Sequence, residues 1–542
     1  MLQTLRKLWR IPGGLHLDYH KEASSLTPVR TLPLPPELII PLQQHMGAKP
    51  TLTVKVGDYV YKGQALAKAN GFMQVPVHAS TSGTITAIAE RSIAHPSGLE
   101  DTCIILRPDG KDNWGNSRLP AYTDYQQVSR ELLNQRIAEA GIVGLGGAVF
   151  PSAIKLAVEG AAIETLIING AECEPYITCD DRLMQDHAAD IIAGIQIMLY
   201  LVQASQCLIG IEDNKPAAIA SMQMAVANSG DTRIQVVSVP TLYPTGSEKQ
   251  LIKILTGKEV PSGGRPSQIG LVCHNVATAR AVYKAIVQGE PLLERYVTLT
   301  GEGIHNAGNL NVLLGTPIQY LLEQTANSHV SPKRLVMGGP MMGIDLASTA
   351  IPVVKATNCI LINQKPTQPP TVLPCIRCGR CADACPTSLL PQQLYWHARA
   401  RAFDKAESYH LFDCIECGCC SYVCPSHIPL VNYYRFAKAE IRAQRASQNS
   451  SARARERHEF RLERIERVKR EKAEKLAKHK EMAQQQAPTT PTDDPKKAAI
   501  QAALARAQAK KASMQQAAAA EATAPATTAT PSENIAPQDQ PV

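Results

Sequence analysis

The sequence predicts a multidomain chain of α/β plus α+β class, and three observations carry that prediction. Apolar and polar residues alternate between glycine turns from about 32 to 109. Helical patterns alternate with short apolar runs from about 122 to 289, and two matched cysteine runs lie near residue 400. With 542 residues, 44% of them hydrophobic, the chain can bury cores for about three or four domains. The expected parts are an N-terminal segment (1–31), a β module (32–115), an α/β domain (116–292), a small α+β domain (293–364), a cysteine-rich helical domain (365–440) and a low-complexity tail (441–542).

In the first module, Val54-Lys-Val-Gly57-Asp58-Tyr-Val60-Tyr-Lys-Gly63-Gln64-Ala-Leu66 alternates around two glycine turns, and the stretch from Val75 to Ile88 repeats the style around Gly83. The pattern resembles the barrel-sandwich fold of lipoyl and biotinyl carriers. Those carriers present a modifiable Lys at a hairpin tip between the two halves. Here that stretch is Asn70-Gly-Phe-Met-Gln74 and has no Lys. The resemblance therefore implies the fold of a structural module and not the carrier function.

The α/β domain follows. Thr165–Ile168, Cys207–Ile211 and Ile234–Val239 read as strands of a largely parallel sheet. It opens on Gly141-Ile-Val-Gly144-Leu-Gly146-Gly147-Ala-Val-Phe150-Pro151-Ser-Ala-Ile-Lys155. Glycines this dense let a backbone approach a phosphate or a ring closely. A helix expected from Ser152 would offer N–H groups to a phosphate, with Lys155 adding charge one turn in. The spacing is not that of a dinucleotide fingerprint. In the α+β domain, Val297–Gly301 and Arg334–Met337 read as strands and Gly315 opens a helix, before the Pro-rich linker Lys365–Pro374.

The cysteine runs are Cys375-Ile-Arg-Cys378-Gly-Arg-Cys381-Ala-Asp-Ala-Cys385-Pro and Cys414-Ile-Glu-Cys417-Gly-Cys419-Cys420-Ser-Tyr-Val-Cys424-Pro. Both read C-x2-C-x2-C-x3-C-P, the bacterial ferredoxin spacing for [4Fe–4S] clusters. Zinc ligands usually come as two separated pairs instead. By the two-cluster ferredoxin pattern the fourth Cys of each run serves the other cluster. One cluster then takes Cys375, Cys378, Cys381 and Cys424; the other takes Cys414, Cys417, Cys420 and Cys385. The remaining seven of the 15 cysteines are scattered and read as small apolar residues. Cluster and free thiols together indicate a reducing compartment.

The formal charge of +8 is concentrated in the tail. From residue 441 onward there are 19 Lys and Arg against 12 Asp and Glu, leaving 37 against 36 in the rest of the chain. A nearly neutral body argues against a nucleic-acid footprint. The N-terminus lacks a signal-peptide pattern, and the longest apolar stretch, 191–202, is too short to span a bilayer. The chain is therefore expected to have no transmembrane segment of its own and to be cytoplasmic or peripheral on a membrane complex. The tail reads as a charged run with helical propensity over 453–482, then as largely disordered. Its alternative reading is attraction to an anionic membrane surface or an acidic partner.

Beyond the glycine loop come Asn169-Gly-Ala-Glu172-Cys-Glu174-Pro, Pro244-Thr-Gly246-Ser-Glu248-Lys249 and His274-Asn275-Val-Ala-Thr278. At this point the chain resembles the NADH-binding flavoprotein subunit of respiratory complex I, which carries G-x-G-G-A-x-F-P, N-x-x-E-x-E-P and N-N-V-x-T around FMN and NADH. The chain departs from that pattern at Val143 and Leu145, where the family has Arg, and at Ala171, where it has Asp. Two ferredoxin-type runs, the barrel-sandwich module and the early Gly13-Gly14-Leu-His16 motif give a narrower resemblance, to the C subunit of the Rnf (or Rsx) ion-translocating electron transport complex. It covers about residues 11–440.

The resemblance implies a Rossmann-like FMN and NADH domain, with Gly144, Gly146, Gly147, Lys155, Asn169, Glu172, Glu174 and Asn275 as cofactor-binding residues. It also implies a β-grasp domain of SLBB type over 293–364. The implied cofactors are FMN and two [4Fe–4S] clusters, with NADH as substrate. The implied partners are the other subunits of the membrane complex and ferredoxin-type electron carriers, on the cytoplasmic side of a bacterial inner membrane. A flavin takes a hydride and a cluster takes one electron, so the flavin belongs between NADH and the clusters. Two other readings fit the same residues: a soluble NADH-dependent iron–sulfur flavoprotein, and an electron-wiring adaptor that has lost flavin and nucleotide.

Overall fold

The structure, a computed structural model, describes residues 7–95, 97–158, 160, 162–327, 333–363, 371–485 and 495–521. The chain divides into two compact units, Met1–Ala446 and Ser447–Val542.

In the first unit the β module folds as two small sheets. One runs in the order Leu38–Pro41, Glu100–Pro108, Gly83–Ser92, Tyr59–Val60; the other in the order Thr51–Leu52, Ala65–Lys68, Val77–His78. All neighbouring strands are antiparallel. The sequence alternation sends Leu38, Ile40, Val60, Leu66, Ile85, Ile104 and Leu106 into one shared core. Gly57 and Gly63 turn the chain with φ of +92° and +75°.

The α/β domain holds a four-stranded sheet in the order Ile234–Val239, Gln206–Glu212, Thr165–Asn169, Leu271–Asn275, with every pair parallel. Its central strands are buried on both faces, which is why they read as unbroken apolar runs. The longest apolar stretch lies in the helix Ala188–Val202, packed in this core. Gly194 lets that helix meet the helix Val276–Val287: a Cβ there would lie 1.9 Å from the Ala279 carbonyl oxygen.

A six-stranded sheet follows, in the order Arg30–Thr31, Gly308–Leu313, Glu294–Gly301, Cys359–Asn363, Arg334–Met337, Ile344–Asp345. Glu294–Gly301 pairs antiparallel with Gly308–Leu313 and parallel with Cys359–Asn363. The helix Ile318–Gln324 stands where Gly315 promised one. Residues 365–370 of the Pro-rich linker lie outside the described residues.

The segment before residue 32 is a strap across several parts, not a part of its own. Leu15 bridges Tyr243, and Arg30–Thr31 joins the third sheet. Gly13 and Gly14 are needed where the strap is squeezed. A Cβ on Gly13 would lie 2.6 Å from the Ala384 backbone, and one on Gly14 would lie 2.9 Å from the Tyr243 oxygen.

The cysteine-rich domain is helical, with one-turn helices Arg380–Asp383 and Cys419–Tyr422 and longer ones from Pro391 and Leu430. Its core is Leu394, Tyr395, Ala398, Leu411, Tyr434, Ala437 and Ile441.

The helical propensity expected over 453–482 falls within a longer helix, and the tail carries a second helix as well. One helix runs Leu430–Gln485, and another runs Pro495–Glu521. Ala, Lys, Arg, Glu and Gln are strong helix formers, and Glu463/Arg467, Glu466/Arg470 and Glu471/Lys475 stand at supportive i, i+4 spacing. Beyond Ile441 the described side chains of these helices are exposed, so local propensity and not packing accounts for them. Among the described residues no helix is long and apolar enough to cross a membrane.

Gly194→Ala should destabilise the α/β domain by about 1–3 kcal/mol through overpacking against the Ala279 backbone. Thermal unfolding checks this, and an unchanged melting temperature contradicts the packing described.

Candidate functional site

The glycine segment is a tight hairpin. The Gly144 N–H donates to the Phe150 carbonyl (2.8 Å), and the Val149 N–H donates back to the Gly144 carbonyl (3.1 Å). Val143 and Leu145, where the complex I pattern carries Arg, are buried apolar residues. A cation reaches the hairpin from behind instead. Buried Arg295, on the strand Glu294–Gly301, donates to the Leu145 carbonyl (2.9 Å) and to the Lys355 carbonyl.

A cavity of about 290 Å³ opens beside the hairpin. It brings together Gly144, Gly146, Lys155, Asn169, Glu172, Glu174 and Asn275 from segments far apart in sequence. Gly147 is not among its lining residues; its φ of +106° shapes the turn. Ser152 Oγ and His274 Nε2 are buried on this cavity wall without a hydrogen-bond partner among the described residues. Orphaned polar atoms beside a glycine hairpin fit a group such as FMN, which brings phosphate and ring-edge partners.

Lys155 lines the cavity with a carboxylate partner of its own. The helix from Ser152 ends at Leu156, a single turn. It sets Lys155 against the first residue of the helix Glu248–Thr256, and the Lys155 ammonium pairs with the Glu248 carboxylate on the cavity wall.

The acidic residues are held by backbone. The Glu172 carboxylate accepts from the N–H groups of Asp180 (2.6 Å) and Asp181 (3.2 Å), so it caps the helix Cys179–Asp186. The Glu174 carboxylate accepts from Met341 (3.2 Å) and Met342 (2.8 Å). Burial pushes the Glu174 carboxyl up to about 7, against those donors and Lys21, which pull it down. Asp180 also lines the cavity and accepts from Asn275 Nδ2 at 2.6 Å. Burial first, then the Glu172 charge, push it up to about 7. Asn275 Oδ1 meanwhile caps the helix Val276–Val287 through the Ala277 N–H, and Asn169 Nδ2 donates to the Gly246 carbonyl (2.8 Å). From the strap, buried Lys21 donates to the carbonyls of Glu172 (2.9 Å), Glu174 (3.0 Å) and Ile177 (2.5 Å), fixing this loop from behind.

The two cysteine runs fold alike. Arg377 and Glu416, each two residues past the first Cys, are left-handed (φ +56° and +58°). Each donates its N–H to that cysteine's Sγ at 3.4 Å. Gly379 and Gly418 are left-handed too (φ +81° and +82°), and each starts a one-turn helix. Backbone N–H groups aimed at sulfur are what a thiolate-held cluster uses.

Cys385, Cys414, Cys417 and Cys420 line one cavity, the same four that the crossed ferredoxin pairing puts together. Cys375, Cys381 and Cys424 are half-buried against the shared core, and Cys378 is exposed. All 15 cysteines are free. Cys419, inside the second run, is fully buried in a small apolar cluster with Cys173, Tyr243, Ala384 and Cys417, so packing accounts for it.

Sequence reasoning missed the residues that join the two centres. Ile415 lines both the cysteine cavity and the cavity beside the glycine hairpin. Tyr243, buried on the wall of that second cavity, donates its hydroxyl to the Cys417 carbonyl at 2.6 Å. Tyr243 directly precedes the Pro244–Lys249 motif, and that was its only signal. Lys21 had none, since it reaches carbonyls more than 150 positions away.

This arrangement defines a class: a redox subunit with a flavin-binding α/β domain and a ferredoxin-type cluster domain beside it. Residues 137–284 match the Nuo51 FMN-binding domain, 9–111 the RnfC barrel sandwich hybrid domain, and 374–428 the 4Fe-4S dicluster domain. Among curated relatives, the C subunit of the ion-translocating oxidoreductase complex of Salmonella gallinarum is 49% identical over 93% of this chain and 73% of its own length. That of Serratia proteamaculans is 50% identical over 93% of this chain and 70% of its own. A solved chain of an NAD+-reducing [NiFe]-hydrogenase in the air-oxidized state aligns over 52% of this chain and 54% of its own, at 20% identity and a TM-score of 0.39. The chain belongs to the RnfC family, the C subunits of ion-translocating oxidoreductase complexes.

Folding pushes the Glu174 carboxyl up from its ordinary value of 4.5 to about 7, chiefly through burial. Between those values the folded state holds a proton that the unfolded state has lost, so stability falls as pH rises through the window. Glu174→Gln removes that cost. Relative to the parent protein it should gain on the order of 3 kcal/mol between pH 5 and pH 8. The difference in thermal unfolding at the two pH values measures this, and an equal difference at both contradicts the buried carboxylate.

Proposed function

We propose that this protein accepts electrons from NADH at an FMN in the α/β domain and delivers them singly through two [4Fe–4S] clusters to membrane partners whose redox steps drive ion movement. The observation that carries this reading is the position of Ile415: one residue lies on the wall of both cavities. A bound flavin supplies two-electron to one-electron conversion, and clusters supply one-electron storage.

The chain's own residues supply placement. Gly144 and Gly146 leave the hairpin backbone open to an isoalloxazine or ribityl phosphate, with Ser152 and His274 offering unused polar atoms. Glu174 and Asp180, held by N–H groups and Asn275, are poised to meet the polar edge of a nicotinamide or flavin. Lys155 can exchange Glu248 for a phosphate. Cys385, Cys414, Cys417 and Cys420 would hold the flavin-side cluster, and Cys375, Cys378, Cys381 and Cys424 the outer one. Exposed Cys378 and Ile376 put the outer loop within reach of a partner.

In this reading residues 116–292 are a Rossmann-like domain and 293–364 a β-grasp domain of SLBB type. The strand order of the latter, with the hairpin's first strand beside a parallel last strand, supports that. The protein sits peripherally on the cytoplasmic face of a bacterial inner membrane, with ferredoxin-type carriers at the far end of the complex.

Anaerobic NADH titration of the purified chain tests the proposal. It predicts bleaching of a flavin band, followed by EPR signals of reduced clusters. Intact clusters without a flavin band or NADH response would favour the adaptor reading. Gly146→Leu, which places a side chain toward Asn275, should cut flavin occupancy about tenfold or more, equivalent to about 1.4 kcal/mol of affinity. Iron content should not change. Unchanged flavin content contradicts the hairpin's role.

A further inference from the structure

The two cysteine loops share one backbone, so any difference between the clusters they would hold must come from what surrounds them. At the left-handed position the outer loop carries Arg377, an exposed residue, and the inner loop carries Glu416. Glu416 sits in a built ion cluster. Its carboxylate accepts from Arg435 Nε (3.0 Å) and Lys438 Nζ (2.8 Å), both on the helix that begins at Leu430. Lys438 is buried, its side chain 5% exposed, and the same ammonium donates to the Cys414 carbonyl at 2.7 Å. The charged residues of the outer run, Arg377, Arg380 and Asp383, are all exposed, where water and salt screen their charge.

We propose that Lys438 is a positioning residue that holds the reduction potential of the inner cluster, the one on Cys414, Cys417, Cys420 and Cys385, more positive than its thiolates alone would set it, with Glu416 acting as the opposing weight. This rests on the two-cluster reading above. Reducing such a site adds one electron and no proton, so its negative charge grows by one. A buried ammonium against the first ligand's carbonyl favours that state, and a carboxylate on the same loop disfavours it. The inner loop also abuts the flavin-side cavity through Ile415, so the tuned site is the one that first meets electrons leaving that cavity.

The test is an EPR-monitored redox titration of the full chain, prepared anaerobically, for three variants. Lys438→Met should move one of the two cluster potentials more negative and leave the other in place. Glu416→Gln should move that same potential more positive. Lys438→Arg should leave both near their starting values. Opposite shifts on one signal distinguish charge from support, because a purely structural role loosens the loop in the same way for both losses. The proposal is overturned if Glu416→Gln leaves both potentials unmoved, if it shifts one in the same direction as Lys438→Met, or if the signal that moves is the one lost on Cys378→Ala. If Lys438→Met loses its cluster, Glu416→Gln and Lys438→Arg still decide the matter. Absence of any cluster signal in the parent protein would refute the two-cluster reading itself, a different result from unmoved potentials.

Discussion

The contact on which the rest of this molecule depends is the join between the α/β domain and the inner cysteine loop. Electron exchange falls off steeply with distance, so two cofactor sites on separate folds are useful only if the folds are locked together. Tyr243 does part of that locking, with its hydroxyl on the Cys417 carbonyl and its backbone bridged to Leu15. The strap does the rest. Gly13 and Gly14 pass between Ala384, beside Cys385, and the Tyr243 backbone, where a side chain on either would collide. Three segments distant in sequence thus converge at one point.

The same strap organises the cavity's electrostatics. Several carboxylates crowd this region, and isolated charges buried there would be costly. Each is compensated by directed donors: Glu172 by the start of a helix, Glu174 by two backbone N–H groups, Asp180 by Asn275. Lys21 gathers the carbonyls of the intervening loop, and burial pulls its own affinity for protons down. Most of these polar groups already have partners, while Ser152 Oγ and His274 Nε2, in residues lining the cavity, have none among the described residues.

What the sequence revealed was whatever is local. The cysteine spacing encodes a loop whose left-handed residues and one-turn helix are set within a few positions. The parallel strands announced themselves because both faces are buried, and the barrel-sandwich strands by alternation around Gly57 and Gly63. Seven of the eight expected residues line one cavity, Gly147 being the exception, and the pairing of Lys155 was not legible because its Glu248 partner comes from a helix 93 positions away. Ile415, Tyr243, Lys21 and Lys438 were illegible for the same reason. Each acts through a contact with a remote segment, and no spacing rule reports that. The tail's helical propensity was legible over 453–482 because it is local; the extent of its helices was not, because no wide apolar stripe marks their ends.

The central claim is that one chain carries a flavin site and two cubane sites with Ile415 on the boundary between the flavin site and the inner cubane site. Chemical analysis of anaerobically purified protein tests it most directly. The account predicts about eight iron and eight acid-labile sulfide per chain, four for each cysteine set, together with about one flavin. Iron and sulfide near four, or flavin absent from cluster-replete protein, would contradict it.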